Sequence, residues 1–199
     1  PAWAHRGSRP LGSGSVLGPA ERDQLERRLR DLEGRIERTA NGRKVTLLAV
    51  VKRQSNASIL AAYQLGLRDF GHSFVQEALD SFPQLAEAMP DARWHFVGSI
   101  QSNKTRHLTS GWALIHAVDR LKTARRLAST THTPTPVLLQ VNIGGEASKG
   151  GVAPEQACEL ATQVRALDGI ALRGLMTMPP PHPGPWFERL AELRDDLMA

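Results

Sequence analysis

Cysteine is nearly missing from this sequence: Cys158 stands alone, so neither an internal disulfide framework nor a cysteine-based zinc cluster can form. Long apolar runs are missing too, and nothing approaches the roughly 18–20 residues that a membrane-spanning helix requires. Near the start, no apolar run reaches the about 7–15 residues of a secretory signal, which points to the cytoplasm. Aromatic residues make up 5% of the chain, and Tyr63 is the only tyrosine. Charge of one sign does not dominate either. Twenty-five Lys+Arg against 20 Asp+Glu leave a net +5 with both signs interspersed, which favours anionic ligands without indicating nucleic acid.

What is there reads as one globular domain. The 199 residues are 41% hydrophobic and 23% charged, enough for a sizeable core. Residues 1–19, rich in Gly, Ser and Pro and lacking an initiating Met, read as a disordered leader or the accident of a gene boundary. From residue 20 to 199, strand-like and helix-like patterns alternate. Leu25, Leu29, Leu32 and Ile36 form one helical stripe between Pro19 and Asn41-Gly42. Val45–Val51 is nearly continuous apolar sequence, the mark of a strand buried on both faces. Further strands are expected at Leu67–Phe70, Trp94–Val97, Ala113–Val118, Pro136–Ile143 and Ile170–Met178. Helices fall between them: one begins at Asn56, one carries Leu79, Phe82 and Leu85, and a short one follows Asn103. Later helices are capped by Asp119, opened by Pro154, or carry Phe187, Leu190, Leu193 and Leu197.

Such alternation implies parallel strands joined by right-handed crossovers, hence an α/β fold. An open doubly wound sheet and a TIM-type (β/α)₈ barrel both fit. The first strand lacks a Gly-x-Gly-x-x-Gly turn, and about six units are countable where a full barrel has eight. The count favours a barrel that stops early.

In either architecture, ligands bind at the carboxyl ends of the strands. Lys52, the turn Gly71-His72-Ser73, Gly98-Ser99, Asp119, Asn142 and Met176-Thr177 fall there. Lys52 directly follows the apolar run, where partial desolvation would favour an amine able to attack an aldehyde. On spacing alone, a lysine reaching out of a strand end is the simpler explanation, since terminal lysines are common. Asn142 is polar within an apolar strand and needs a partner, structural or ligand. Gly145–Gly151 has a phosphate-loop setting, but Gly151 stands where a Walker lysine is required. Cys158, near Ala161, reads as a small core residue, and Tyr63 as core-facing. His72, His95, His107 and His116 show no metal-ligand spacing. The Arg27-Arg28 and Arg125-Arg126 pairs read as solvated helix faces.

The segment Trp94-His-Phe-Val-Gly-Ser-Ile-Gln-Ser-Asn-Lys104, followed by Leu108, resembles the signature of the pyridoxal phosphate homeostasis protein family. Leu47–Lys52, Phe74–Glu77, Val141–Ile143 with Ser148–Gly150, and Leu172–Met176 match it in order, so the resemblance runs from about Glu21 to Ala199. It implies an alanine-racemase-like barrel that binds pyridoxal 5′-phosphate (PLP) through a Schiff base on Lys52. Ser73, Asn142 and Met176 would lie around the cofactor. It further implies a carrier or buffer in vitamin B6 homeostasis rather than an enzyme, with apo PLP-dependent enzymes as recipients. Two departures stand out. The family's Gly-Glu-Asn-Tyr is Gly71-His72-Ser73-Phe74 here, so a serine replaces the asparagine that helps hold the cofactor. The family's phosphate-holding turns follow its seventh and eighth strands, which would lie beyond Ala199, so the chain is expected to be a truncated barrel. The competing readings are a PLP-dependent racemase or lyase on the same barrel and a nonfunctional or purely interacting fragment.

Overall fold

The structure is a computed structural model describing residues 16–101, 104–108, 111–130 and 133–197. Most of the expected leader and the Asn103 helix start lie outside the described residues. The elements in chain order are α1 (Pro19–Thr39), β1 (Leu48–Val50), α2 (Asn56–Gln64), β2 (Asp69–His72), α3 (Val75–Leu85) and β3 (Arg93–Phe96). Then come a 3₁₀ turn (Thr105–His107), β4 (Leu114–Val118), α4 (Leu121–Ala128), β5 (Thr135–Gln140), α5 (Pro154–Arg165), β6 (Ile170–Met176) and α6 (Trp186–Asp196). Neighbouring strands are consecutive in sequence, and their pairing is parallel, as helical crossovers require. The chain divides into two compact units, one ending at Trp94 and the other beginning at His95.

In the first unit, α1 starts with Pro19 in its first turn and ends at Asn41 and Gly42, both at positive φ. Its stripe is shallow: Leu29 is buried, whereas Leu32 is exposed. The strand expected over Val45–Val51 narrows to Leu48–Val50, and burial on both faces does not hold. Val51 is buried, but Val50 is 48% exposed. Among the described residues β1 pairs only with β2, which makes it an edge strand. Ser55 caps α2 by accepting the Ser58 N–H at 3.1 Å. Tyr63 is not core-facing: it is half-buried, its hydroxyl hydrogen-bonds Asp91, and Arg68 lies 4.3 Å over its ring.

Gly71 and His72, expected in a turn, belong to β2, all of which is buried. Phe70 and His72 project to one side of β2, where they meet Trp94 and, for His72, Phe82 of α3. Ring centroids in this cluster are 5.1–5.5 Å apart. Burial among these rings pushes the His72 pKa down to about 4.

In the second unit, Ile115, Val137 and Leu139 are fully buried against a helical layer that includes Leu127, Ala157, Ala161 and Val164. The expected cap does not form. Asp119 lies 3.8 Å from Arg120 in an ion pair, and Arg120 holds the N-cap position of α4 without a side-chain bond. Cys158 is exposed, not a core residue, because α5 buries positions 157, 160, 161 and 164. Residue 158 is about 100° round the helix from that face. β5 stops at Gln140, which leaves Asn142 in the following loop, and β6 stops at Met176. Among the described residues no helix is long and apolar enough to cross a membrane.

Candidate functional site

All four residues singled out in the sequence fall at strand carboxyl ends, two in each unit. In the first unit, Leu48 pairs with Asp69 and Val50 with Gly71, and the Val51 N–H donates to the Gly71 carbonyl at 2.9 Å. The paired register ends there, and Lys52 and Ser73 each follow just past the end of their strands. Because Phe70 and His72 face the aromatic cluster, Asp69 and Gly71 occupy the opposite face of β2, and side-chain alternation adds Val50 to them. Lys52 is exposed, which corrects the partly desolvated amine expected from the apolar run; Ser73 is half-buried. Among the described residues no hydrogen-bond or ion-pair partner engages the Lys52 amine.

Lys52 does not end its strand as a simple extension. It enters a turn, Val51–Gln54, closed by the Gln54 N–H donating to the Val51 carbonyl at 3.1 Å. Arg53 in that turn has φ 59°, and its N–H donates to the Glu77 carboxylate of α3 at 3.3 Å. Glu77 was legible only as part of a matching segment. Its partner lies 24 residues away, a contact that no local pattern encodes.

In the second unit, Gln140 pairs with Met176, and the Val141 N–H donates to the Met176 carbonyl at 2.8 Å. Asn142 therefore follows two residues beyond the level of Met176 on the neighbouring strand, and both are half-buried. The Asn142 side chain is already engaged: Nδ2 donates to the Glu146 carbonyl at 2.9 Å and Oδ1 accepts the Glu146 N–H at 3.2 Å. Gln140 Nε2 donates to the Gly150 carbonyl at 2.8 Å, and Lys149 pairs with Glu146 at 2.5 Å. The loop returns so closely that a Cβ on Gly151 would sit 2.6 Å from the Asn142 nitrogen, and its φ is +128°. Glycine serves this close approach, not phosphate binding. A cavity of about 400 Å³ borders the loop, lined by Asn142, Gly144, Gly145, Pro154 and Arg189 among others.

A histidine pair also lies in this unit. His95 Nδ1 and His116 Nε2 are 3.0 Å apart on neighbouring strands, and burial, then the nearby His95, pushes the His116 pKa down to about 4. The readable signal is parity: each alternates with buried neighbours, Trp94 and Phe96 in β3, Ile115 and Ala117 in β4. Among the described residues no three His, Cys, Asp or Glu side chains gather to hold a metal.

Comparison with known proteins bears on the fold and the family. Residues 21–188 match the alanine racemase N-terminal domain family. A pyridoxal phosphate homeostasis protein of Pseudomonas aeruginosa is 46% identical over 163 residues, covering 77% of this chain and 69% of that protein. PipY of Synechococcus elongatus, solved with PLP bound, superposes with a TM-score of 0.76 at 28% identity, covering 87% of this chain and 82% of that one. Its structure without PLP gives 0.78 at 29% identity, covering 87% and 81%. Parallel strands in sequence order, strand-end polar residues and these relatives lead to one assignment: the chain belongs to the pyridoxal phosphate homeostasis protein family, an α/β fold of the alanine-racemase N-terminal-domain barrel kind.

Proposed function

We propose that this protein binds PLP covalently through Lys52 and serves as a carrier of the cofactor in the cytoplasm, handing it to apo PLP-dependent enzymes. The observation that carries the reading is Lys52 itself, an exposed amine just past the end of β1 that no hydrogen bond or ion pair engages among the described residues. PLP supplies an aldehyde, which condenses with a primary amine and releases water. The residues here fit such a ligand. Lys52 offers the amine, and Ser73 offers a hydroxyl in the same unit. In the second unit Asn142 acts as a frame for its own loop, because both ends of its amide are spent on Glu146. The exposed thiol of Cys158 suits a reducing compartment.

The test is to add PLP, follow the visible absorption of the lysine-bound cofactor, reduce with borohydride and map the label. Lys52→Ala should abolish the band and leave far-UV dichroism nearly unchanged, since an exposed strand-end lysine packs little. A label on Lys149 or Lys104 would overturn the assignment. Loaded protein mixed with an apo aminotransferase should restore its activity, and racemisation of free amino acids by the loaded protein would replace the carrier reading with an enzymatic one.

A further inference from the structure

The turn that carries Lys52 is held in an unfavourable backbone state. Its four residues, Val51–Gln54, place Lys52 second and Arg53 third, and only Arg53 of the two has a positive φ, 59°. That combination belongs to a type II turn, whose third position is ordinarily glycine because an L side chain is strained there. A type I turn would span the same four residues without the strain. The two turns differ mainly by rotation of the peptide joining the second and third residues, here the Lys52–Arg53 peptide. The N–H of that peptide is the group bound by Glu77, at 3.3 Å. Glu77 stands in the first turn of α3, where the helix end also favours a carboxylate. α3 in turn is anchored by Phe82 packing on His72 and Trp94.

We infer that Glu77 is a positioning residue for Lys52: its carboxylate pins the Lys52–Arg53 peptide in the type II orientation and so fixes the direction in which the amine leaves β1. Among the described residues no hydrogen bond or ion pair orients the Lys52 side chain, so its backbone is the available handle. This inference rests on the reading of Lys52 as the PLP attachment point.

The experiment titrates the 199-residue chain with PLP, by visible absorption, in four variants. Glu77→Ala should weaken PLP attachment about fivefold or more, the scale of one charge-assisted hydrogen bond at a partly exposed site. Glu77→Gln keeps an acceptor oxygen and should recover most of that loss. Arg53→Gly placed in the Glu77→Ala background should also recover it, because glycine reaches positive φ without strain. Arg53→Val attacks the same turn from within, since a β-branched residue resists positive φ, and should weaken attachment even if Glu77→Ala fails to fold. A merely structural role for Glu77 would lower the thermal midpoint without changing PLP affinity, and Arg53→Gly would not cure it. Borohydride mapping separates the two layers. A label away from Lys52 sinks the attachment reading; a label on Lys52 with native affinity in Glu77→Ala, or with no rescue by Arg53→Gly, sinks the positioning inference alone.

Discussion

The two units bring opposite kinds of polar group to their strand ends. In the first, Lys52 and Ser73 sit on an accessible face, and the amine is constrained through its backbone by the Arg53–Glu77 bond. In the second, the polar side chains are consumed within the unit: Asn142 by Glu146, Gln140 by Gly150, and the Thr177 hydroxyl by the Val141 carbonyl at 2.8 Å. Lys149 donates to the Pro179 carbonyl at 2.8 Å besides its ion pair. The contrast separates two tasks. A side chain kept available must borrow rigidity from elsewhere, whereas a loop gains rigidity by satisfying its own hydrogen bonds. Their cores differ in the same sense. The first unit relies on an aromatic cluster around Trp94, the second on aliphatic packing and a self-bonded loop.

The hardest test of that contrast is Trp94→Ala. Trp94 is 3% exposed and touches Phe70, His72 and Phe82, so its truncation should cost about 3–5 kcal/mol by chemical denaturation. A cost under about 1 kcal/mol would show that the aromatic cluster does not hold the first unit together.

Acid comes next. His72 and His116 are neutral in the folded chain, each with its pKa pushed from the ordinary 6.5 down to about 4. The unfolded chain binds their protons first, so stability is fully present above about pH 6.5 and is lost as the pH falls toward 4. For the buried His72 the loss is on the order of 3 kcal/mol, and His72→Phe should remove that share of the slope. A denaturation midpoint flat over this window would contradict the burial of both rings.

Asn142→Ala tests the second unit by deleting two bonds that close its loop. It should cost about 1–3 kcal/mol and loosen amide protection at Glu146 in hydrogen exchange, while leaving the Lys52 label in place. If it instead abolishes the label with no loss of stability, Asn142 is a ligand and not a frame. Ser73→Asn tests the accessible face, since an amide should gain one hydrogen bond to PLP and tighten binding about two- to twelvefold. Unchanged affinity would mean that the serine already suffices. Cys158→Ser should be the smallest change, within about 0.5 kcal/mol, because the thiol lies on the exposed side of α5.

Much of the fold was legible because helix and strand signals are local. The Leu25–Ile36 stripe, Pro19, the start of α2 at Asn56 and Pro154 in the first turn of α5 each act within a turn or two of chain. Cys158 was legible as well, had its phase been compared with Ala157, Leu160, Ala161 and Val164. Lys52 stood out by its place after an apolar run, and the family resemblance sharpened that reading. Asp119 misled because a capping residue type preceded a helix whose N-cap proved to be the next residue, Arg120.

By itself, then, the sequence determined the alternation of helices and strands, the parallel order that short crossovers enforce, and the candidacy of Lys52. Tertiary structure decided the rest. It set which face of β1 stays exposed, that Asn142 closes a loop, that His95 meets His116, and that Glu77 reaches the peptide after Lys52. The physical reason is range. Periodicity and caps act over three or four residues, whereas the Arg53–Glu77 and His95–His116 contacts join residues more than twenty apart, brought together only when strands pair and helices pack; Asn142 bonds only four residues on, but in a loop that has no period to read.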